Sequence, residues 1–404
     1  MKYINKSLTI ENVRVQDIAK KFGTPIYFYS YKRLKENIAN FQNNFNSFSP
    51  LICFAIKSNT NVKLITEIQK LGLGADVVSM GELMLALKAG VKPNKIVFSG
   101  VGKTSEEISY AINKKILLIN AESKSEIIEI ERIARSKKRA VSIGIRLNPN
   151  TDAKTLKQIS TGKKENKFGV NEKTFIELVN YSRISKYINL KCLSVHIGSQ
   201  ILDYKPYEKM LKVVGNIIKK CNYIFEYVDL GGGMGISYED KNKKLNYKKY
   251  NFAIKNFLKN NKCKIIFEPG RSIVGNIGYL VSKVIYIKED EKKDFIILDA
   301  AMNDLMRPAL YGAMHRTIPV LKTNLISKKT YDFVGPICES TDKFTTLKKF
   351  QKIKEKDLIV MCDVGAYGMS LSSNYNVRPK PIELLIKGSK INVIKKRQKL
   401  KDLI

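Results

Sequence analysis

From Leu51 onward, short apolar runs alternate with stretches whose apolar residues recur at helical spacing. The runs cover 51–57, 75–79, 95–100, 116–121, 141–148, 193–198, 227–233 and 264–270. Helix-like segments lie between them, at 61–71, 80–89, 105–114, 123–137, 172–185, 204–220 and 247–260. Continuously apolar strands alternating with helices predict a parallel sheet covered by helices. Eight such units in about 220 residues predict a TIM barrel. Ahead of them, PIYFYS (25–30) reads as a strand, and 31–45 as a helix with Leu34, Ile38 and Phe41 on one face. Residues 1–24 hold a short strand candidate and a small helix at 15–21. After Arg271 the rhythm changes. YLVSKVIYIKED, DFIILDA, YDFVGPI, DLIVMCDVGAY and PIELLIKG follow one another without long helices, which predicts an antiparallel β domain. Met302 to Met314, interrupted by Pro308, reads as a loop or short helix. The expected division is a barrel over 25–275 and a β domain over 276–404, joined by the N-terminal strand of 1–24.

The length of 404 residues also favours two domains. No apolar run approaches the ~20 residues of a membrane span, and MKYINKSLTIENV lacks the apolar region of a secretion signal. Six scattered cysteines (Cys53, Cys192, Cys221, Cys263, Cys338, Cys362) form no CxxC pair. A reduced cytosol is expected, with no disulfide framework and no metal site. The net charge of +35 would ordinarily suggest nucleic acid. Here lysine, asparagine and isoleucine are abundant throughout and Trp is absent, as A/T-rich coding produces. Lys241 to Lys244 and Lys348 to Lys349 read as solvated surface, so no nucleic-acid partner and no membrane partner are expected.

In a TIM barrel the chemistry sits at the C-terminal ends of the strands. Those ends carry Lys57, Asp76 and Ser79, Ser99, Asn120 and Glu122, Arg146 and Asn148, His196 and Ser199, Gly231 to Gly233, and Glu268 to Arg271. A lysine ending an apolar strand is expected to be partly desolvated, which frees its amine as a Schiff-base nucleophile; alternatively it snorkels to solvent. The triple glycine falls at the seventh strand and Glu268-Pro269-Gly270-Arg271 at the eighth, where such barrels bind phosphate. GxxxxGK[ST] is absent, so this is not a nucleotide P-loop. Glu268 is expected to be buried against a cation, either Arg271 or a protonated ring nitrogen. His196 is either a core residue or a stacking imidazole. An amine, a phosphate cradle, a ring-nitrogen carboxylate and a stacking imidazole are together what pyridoxal phosphate (PLP) requires.

FAIKSNTN, SVHIGSQ, DLGGGMGI, EPGRSIVGN, MNDLMRPALYGAMHR, GPICESTD and DVGAYGMSLSSNYNVRP, in this order, resemble the diaminopimelate decarboxylases. These belong to the fold-type III, alanine-racemase-like PLP enzymes. The resemblance runs from about Gly23 to Ile386. It implies PLP-dependent decarboxylation of meso-2,6-diaminopimelate to L-lysine and CO₂, the last step of lysine biosynthesis. It also implies roles. Lys57 would hold PLP covalently, with His196 stacked on the ring and Asp76 near it. Ser199, Gly232, Gly233, Glu268, Gly270 and Arg271 would complete the cofactor site, Glu268 facing the ring nitrogen. Tyr367 would touch cofactor and substrate, and Arg271, Arg307 and Tyr311 would hold substrate. Cys338 would donate the proton to Cα, and Glu339 would bind a substrate amine. The Cys338 segment would reach a partner subunit's site, implying a homodimer.

The chemistry of the substrate agrees. Its distal carboxylate calls for a planar bidentate donor such as Arg307, and its distal amine for a carboxylate such as Glu339. A thiol serves as the acid, although outside GPICES Cys338 would read as a small buried hydrophobe. Alternatives are a sister decarboxylase acting on carboxynorspermidine, arginine or ornithine, or a non-catalytic PLP-binding homologue. Arg307 argues against ornithine, whose distal ammonium it would repel. Two features depart from the family's pattern. Thr341 stands where glycine or serine is more usual, and Thr155-Leu156-Lys157-Gln158 precedes a loop expected near the barrel mouth. Neither is expected to touch a named role.

Overall fold

The computed structural model describes residues 1–153, 159, 161–163, 165–238 and 243–404. Thr155-Leu156-Lys157-Gln158, and Lys241 and Asn242 of the lysine run, lie outside the described residues. The chain forms two compact units. One comprises Ile38–Ile236 and Asn242–Ser272; the other comprises Met1–Asn37, Ser237–Lys241 and Ile273–Ile404.

The first unit is a closed barrel of eight parallel strands. In chain order they are Leu51–Ala55, Gly74–Val77, Ile96–Phe98, Leu118–Ala121, Val141–Arg146, Ile188–Ser194, Tyr227–Asp229 and Lys264–Phe267. The eighth closes on the first through Ile266 and Phe267 opposite Leu51 and Ile52. Cys53, Val97, Leu118, Cys192 and Ile266, from five different strands, pack as one buried cluster. Outside the strands, Phe41 and Phe45 of the helix Tyr31–Phe45 meet Phe267, with Phe45 and Phe267 ring centroids 4.7 Å apart.

Apart from Lys205–Cys221, the barrel helices between strands start where the sequence supplies a side-chain cap. Asn61 accepts from the N–H groups of Lys63 and Leu64 ahead of Val62–Lys70. Ser79, Ser123, Asn171 and Asn246 do the same for later helices. Thr104 and Glu107 form a full capping box ahead of Ser105–Lys114. Ser79 and Ser123 stand two residues beyond Val77 and Ala121, so these two caps turn the chain directly after a strand end.

The sixth strand differs from its expected position. It runs Ile188–Ser194 rather than 193–198. Asn189 and Lys191 point away from the core in its first half and break the apolar run, while Ile188, Leu190 and Cys192 are buried. His196 therefore lies two residues beyond the strand, and Lys57 lies in a 3₁₀ turn, Ile56–Ser58, beyond Ala55.

The second unit is a nine-stranded sheet with a small three-stranded sheet against it. Its longest strand, Gly278–Lys288, pairs antiparallel with Lys293–Leu298, Leu358–Cys362 and Ile26–Ser30. Two pairings depart from the expected antiparallel pattern. Lys293–Leu298 runs parallel to Thr330–Val334, and Ile26–Ser30 runs parallel to Ile382–Lys387. The strand Ile26–Ser30 thus belongs to this sheet rather than opening the barrel at residue 25. All five of its residues are buried, as a central strand requires. Residues 1–24 form their own sheet, Lys2–Ile4, Ser7–Ile10 and Val13–Arg14, followed by the helix Val15–Phe22. Leu8, Ile10, Val15 and Ile18 join the buried cluster of this unit with Phe28, Val281 and Leu384. Among the described residues, no helix is long and apolar enough to cross a membrane.

Candidate active site

The turn after the first strand is fixed by Ser58 Oγ donating to the Ala55 carbonyl at 2.7 Å. It presents Lys57, whose Nζ donates to Asp76 Oδ2 at 2.7 Å. Asp76, on the second strand, is fully buried, whereas the Lys57 side chain keeps 37% exposure. The lysine is thus held by a buried carboxylate while its side chain stays partly exposed. The other oxygen of Asp76 is buried and has no hydrogen-bond partner among the described residues.

Beyond the seventh strand the chain enters Gly231 to Gly233. A Cβ on Gly232 would stand 2.1 Å from the Glu268 carbonyl oxygen. Gly233 has φ +87°, and its Cβ would meet the Gly198 carbonyl oxygen at 2.3 Å. The Gly232 N–H donates to His196 Nδ1 at 3.1 Å. That contact uses the ring's lone pair and places the proton of a neutral imidazole on Nε2. Burial, then the charges of Arg146 and Lys57, hold His196 well below the usual imidazole range, in keeping with that tautomer. Beside this loop, Arg271 Nη2 donates to Ser199 Oγ at 3.1 Å. Gly270 lies against Ser58, whose Oγ a Cβ would meet at 2.9 Å.

A polar chain crosses the barrel beneath these groups. Ser99 Oγ donates to Glu268 Oε1 at 3.2 Å, and Asn120 Nδ2 donates to Ser99 Oγ at 3.2 Å and to Asp229 Oδ2 at 3.0 Å. Asp229 Oδ1 accepts the Gly231 N–H at 2.9 Å, which ties the glycine loop to the same network. Burial, then the neighbouring Asp229 and Asp76 carboxylates, push Glu268 well above the usual carboxylate range. Burial likewise raises Asp229 to about 6. Two hydrogen-bonded carboxyls at this depth share a proton rather than both ionise. On a neighbouring face, Glu122 accepts from Arg146 Nη1 at 2.9 Å and from the Gly100 N–H at 3.0 Å.

These positions make two predictions. The raised Glu268 value means that the unfolded chain releases this proton at lower pH than the folded one. Its contribution to stability is therefore full below pH ~4.5 and is lost as pH rises toward the folded value. Cofactor-free Glu268→Gln should melt above the wild type at pH 8, with the gap closing toward pH 4.5 in a thermal-shift series. Gly232→Ala must displace the Glu268 carbonyl, and should destabilise the cofactor-free protein by about 1–3 kcal/mol in denaturant titrations.

The second unit carries the other expected residues. Arg307 and Tyr311 bound a five-residue helix, Arg307–Tyr311; Arg307 is buried and Tyr311 half-buried. Tyr367 is half-buried, with left-handed backbone at φ 57°. Cys338 is exposed, and its sulfur accepts from Asn376 Nδ2 at 3.5 Å. Glu339 accepts from the Tyr375 hydroxyl and, at 3.1 Å, from Thr341 Oγ1. Thr341 was expected to touch no named residue, so its contact with Glu339 is a correction: its hydroxyl reaches back two residues across the turn. Sequence reasoning also passed over Asp229, Tyr375 and Asn376. Asp229 was legible only as an acid inside the apolar run YVDL, and the other two only as part of SSNYNVRP.

An amine paired with a buried carboxylate, a loop closed to any Cβ and a second carboxyl deep in the barrel suit a phosphorylated pyridine aldehyde. They define the class of barrel enzymes that work with PLP. A family described as "Pyridoxal-dependent decarboxylase, pyridoxal binding domain" matches residues 31–275. The diaminopimelate decarboxylase of Aquifex aeolicus is 40% identical over 404 residues, spanning 98% of this chain and 95% of that protein. The crystal structure of the Helicobacter pylori enzyme complexed with L-lysine superposes with a TM-score of 0.91 at 42% identity, covering 96% of this chain and 98% of that one. That of M. jannaschii, also with L-lysine, gives 0.92 at 34% identity over 99% and 95%. The chain belongs to the diaminopimelate decarboxylase family, and its cofactor is PLP.

Proposed function

We propose that the protein removes CO₂ from one end of meso-2,6-diaminopimelate, leaving L-lysine, as the last step of lysine biosynthesis. One observation carries the reading: identity of about 40% along nearly the whole chain with enzymes of that name. L-lysine in the related crystal structures supports it, being the expected product.

PLP, when bound, supplies an electron sink for the pair left as CO₂ departs. Lys57 holds it through its amine, and Asp76 orients that amine through their 2.7 Å contact. Gly232, Gly233, Ser199, Gly270 and Arg271 bind its phosphate, where backbone N–H groups and a guanidinium suit an anion. Glu268 keeps a proton at the ring nitrogen. A cationic ring nitrogen beside it would favour the ionised carboxylate that burial alone disfavours. His196, neutral, stacks on the ring without adding charge.

Arg307 binds the distal carboxylate and Glu339 the distal ammonium, while Arg271, Tyr311 and Tyr367 complete the substrate site. Cys338 donates the proton to Cα. The Cys338 segment serves the site of a partner subunit, which makes the enzyme a cytosolic homodimer with shared sites.

The test is CO₂ release from meso-diaminopimelate with and without added PLP, beside ornithine, arginine and carboxynorspermidine. Diaminopimelate-specific, PLP-dependent release is expected. Turnover of another substrate in its place would overturn the reading.

A further inference from the structure

Asp229 ends the seventh strand, is fully buried, and has no role in the chemistry above. The neutral groups around it donate to it. The Gly231 N–H reaches Oδ1 at 2.9 Å, while Asn120 Nδ2 and Ser194 Oγ reach Oδ2 at 3.0 and 3.5 Å. Glu268 is hydrogen-bonded to the same carboxyl and accepts from Ser99 Oγ at 3.2 Å. Ser99 in turn accepts from Asn120 Nδ2 at 3.2 Å, so one amide group serves both acids. That amide is closely seated, since a Cβ on Gly144 would stand 2.0 Å from Asn120 Oδ1. The Glu268 N–H donates to the Gly231 carbonyl at 2.9 Å, which joins the two acids through the backbone as well.

The donors are shared unequally. A carboxyl that accepts several hydrogen bonds keeps its charge, and its poorer neighbour keeps the proton. In the cofactor-free protein Asp229 is therefore the anion and Glu268 the acid. Beside a ring nitrogen the same inequality has a second effect. A fixed negative charge behind Glu268 raises the proton affinity of that carboxyl and of any base hydrogen-bonded to it. Asp76 acts in the same direction and Lys57 against it. Burial keeps the Cys53 and Cys192 thiols and the His196 ring neutral, so they add no charge. We propose that Asp229 is the positioning residue for Glu268, a carboxylate anchored by Asn120 and Gly231 that stands behind Glu268 and keeps the proton on the ring nitrogen of PLP. This rests on the functional reading above, in which Glu268 faces that nitrogen.

The test is a pH titration, by solid-state NMR, of holoenzyme reconstituted with PLP labelled with ¹⁵N in the ring. Protonated and bare ring nitrogens give separate signals. The wild type is expected to keep the ring proton throughout the pH range in which it stays folded, and Glu268→Gln to lack it. Asp229→Asn removes the charge and leaves an acceptor for the Gly231 N–H, so PLP affinity should stay close to that of the wild type. This variant is expected to release the ring proton inside that range, a shift of about one pH unit or more, the scale of losing one nearby charge. Asn120→Ala takes a donor from Asp229 and so makes its charge harder to keep. It should shift the release the same way by a smaller step, and it carries the test if Asp229→Asn does not fold. A ring proton kept in Glu268→Gln as in the wild type would overturn the assignment of Glu268, and this role with it. A bare ring in Glu268→Gln beside a wild-type titration in Asp229→Asn would overturn the role of Asp229 alone. Weakened PLP binding in Asp229→Asn with that titration unchanged would do the same, because it marks an anchor for Gly231 and nothing more.

Discussion

Lys57→Ala protein supplied with excess PLP is expected to lose the visible absorbance of a covalently held cofactor. Its release of CO₂ from meso-diaminopimelate should fall by about a thousandfold or more, the scale of losing a covalent and an acid–base group together. The physical basis is local. The turn Ile56–Ser58 is held at both sides, by Ser58 on Ala55 and by the Ala55 N–H on the Pro269 carbonyl at 3.1 Å, so the amine has a fixed origin. The alanine variant also strands the charge of Asp76, which is fully buried. Lys57→Arg separates the two effects. A guanidinium keeps a cation on Asp76 but stays protonated and cannot act as a nucleophile. It should match wild-type thermal stability more closely than alanine does, and be as inactive. Covalent absorbance and turnover in either variant would remove Lys57 from its assigned role.

The second large effect concerns Cys338. Cys338→Ala is expected to lower kcat for L-lysine formation by about a hundredfold or more, with PLP absorbance retained. The thiol is exposed and oriented by Asn376, while Tyr375 and Thr341 hold the adjacent Glu339. Two neighbouring side chains of one loop thus pin two neighbouring residues of another. The shared-site reading gives a sharper result. Inactive Lys57→Ala and Cys338→Ala proteins, mixed and allowed to exchange subunits, should regain up to about a quarter of wild-type activity. Half of the dimers are then mixed, and each mixed dimer carries one intact site. If each site were built within one subunit, the mixture would stay inactive even with exchange shown independently.

The barrel was legible because its strands are continuously apolar and the segments between them carry apolar residues at helical spacing. Where that code weakens, the reading slipped. Asn189 and Lys191 hid the first half of the sixth strand. The strands Thr317–Pro319, Lys343–Leu347 and Lys390–Lys395 escaped notice because they are short or carry exposed polar residues. Lys57, His196, the glycine loop and Glu268 stood out because each is unusual at a strand end. Asp229 did not, because a single acid in YVDL carries no sign of the Asn120, Ser99 and Glu268 groups that the barrel brings beside it. Nor did the partners of Ile26–Ser30, since pairing between distant segments leaves no local pattern.

That last strand has a consequence for how the protein is made. Ile26–Ser30 leaves the ribosome about 250 and 350 residues ahead of its neighbours in the sheet, Gly278–Lys288 and Ile382–Lys387. At elongation speeds of about 5–20 residues per second the whole barrel can close while this strand still waits unpaired, its tyrosines and phenylalanine open to solvent or to a chaperone. Nascent chains stalled so that residue 272 has just cleared the exit tunnel should therefore carry a protease-resistant barrel behind a protease-sensitive leader. The leader should become protected only when the last strands have emerged.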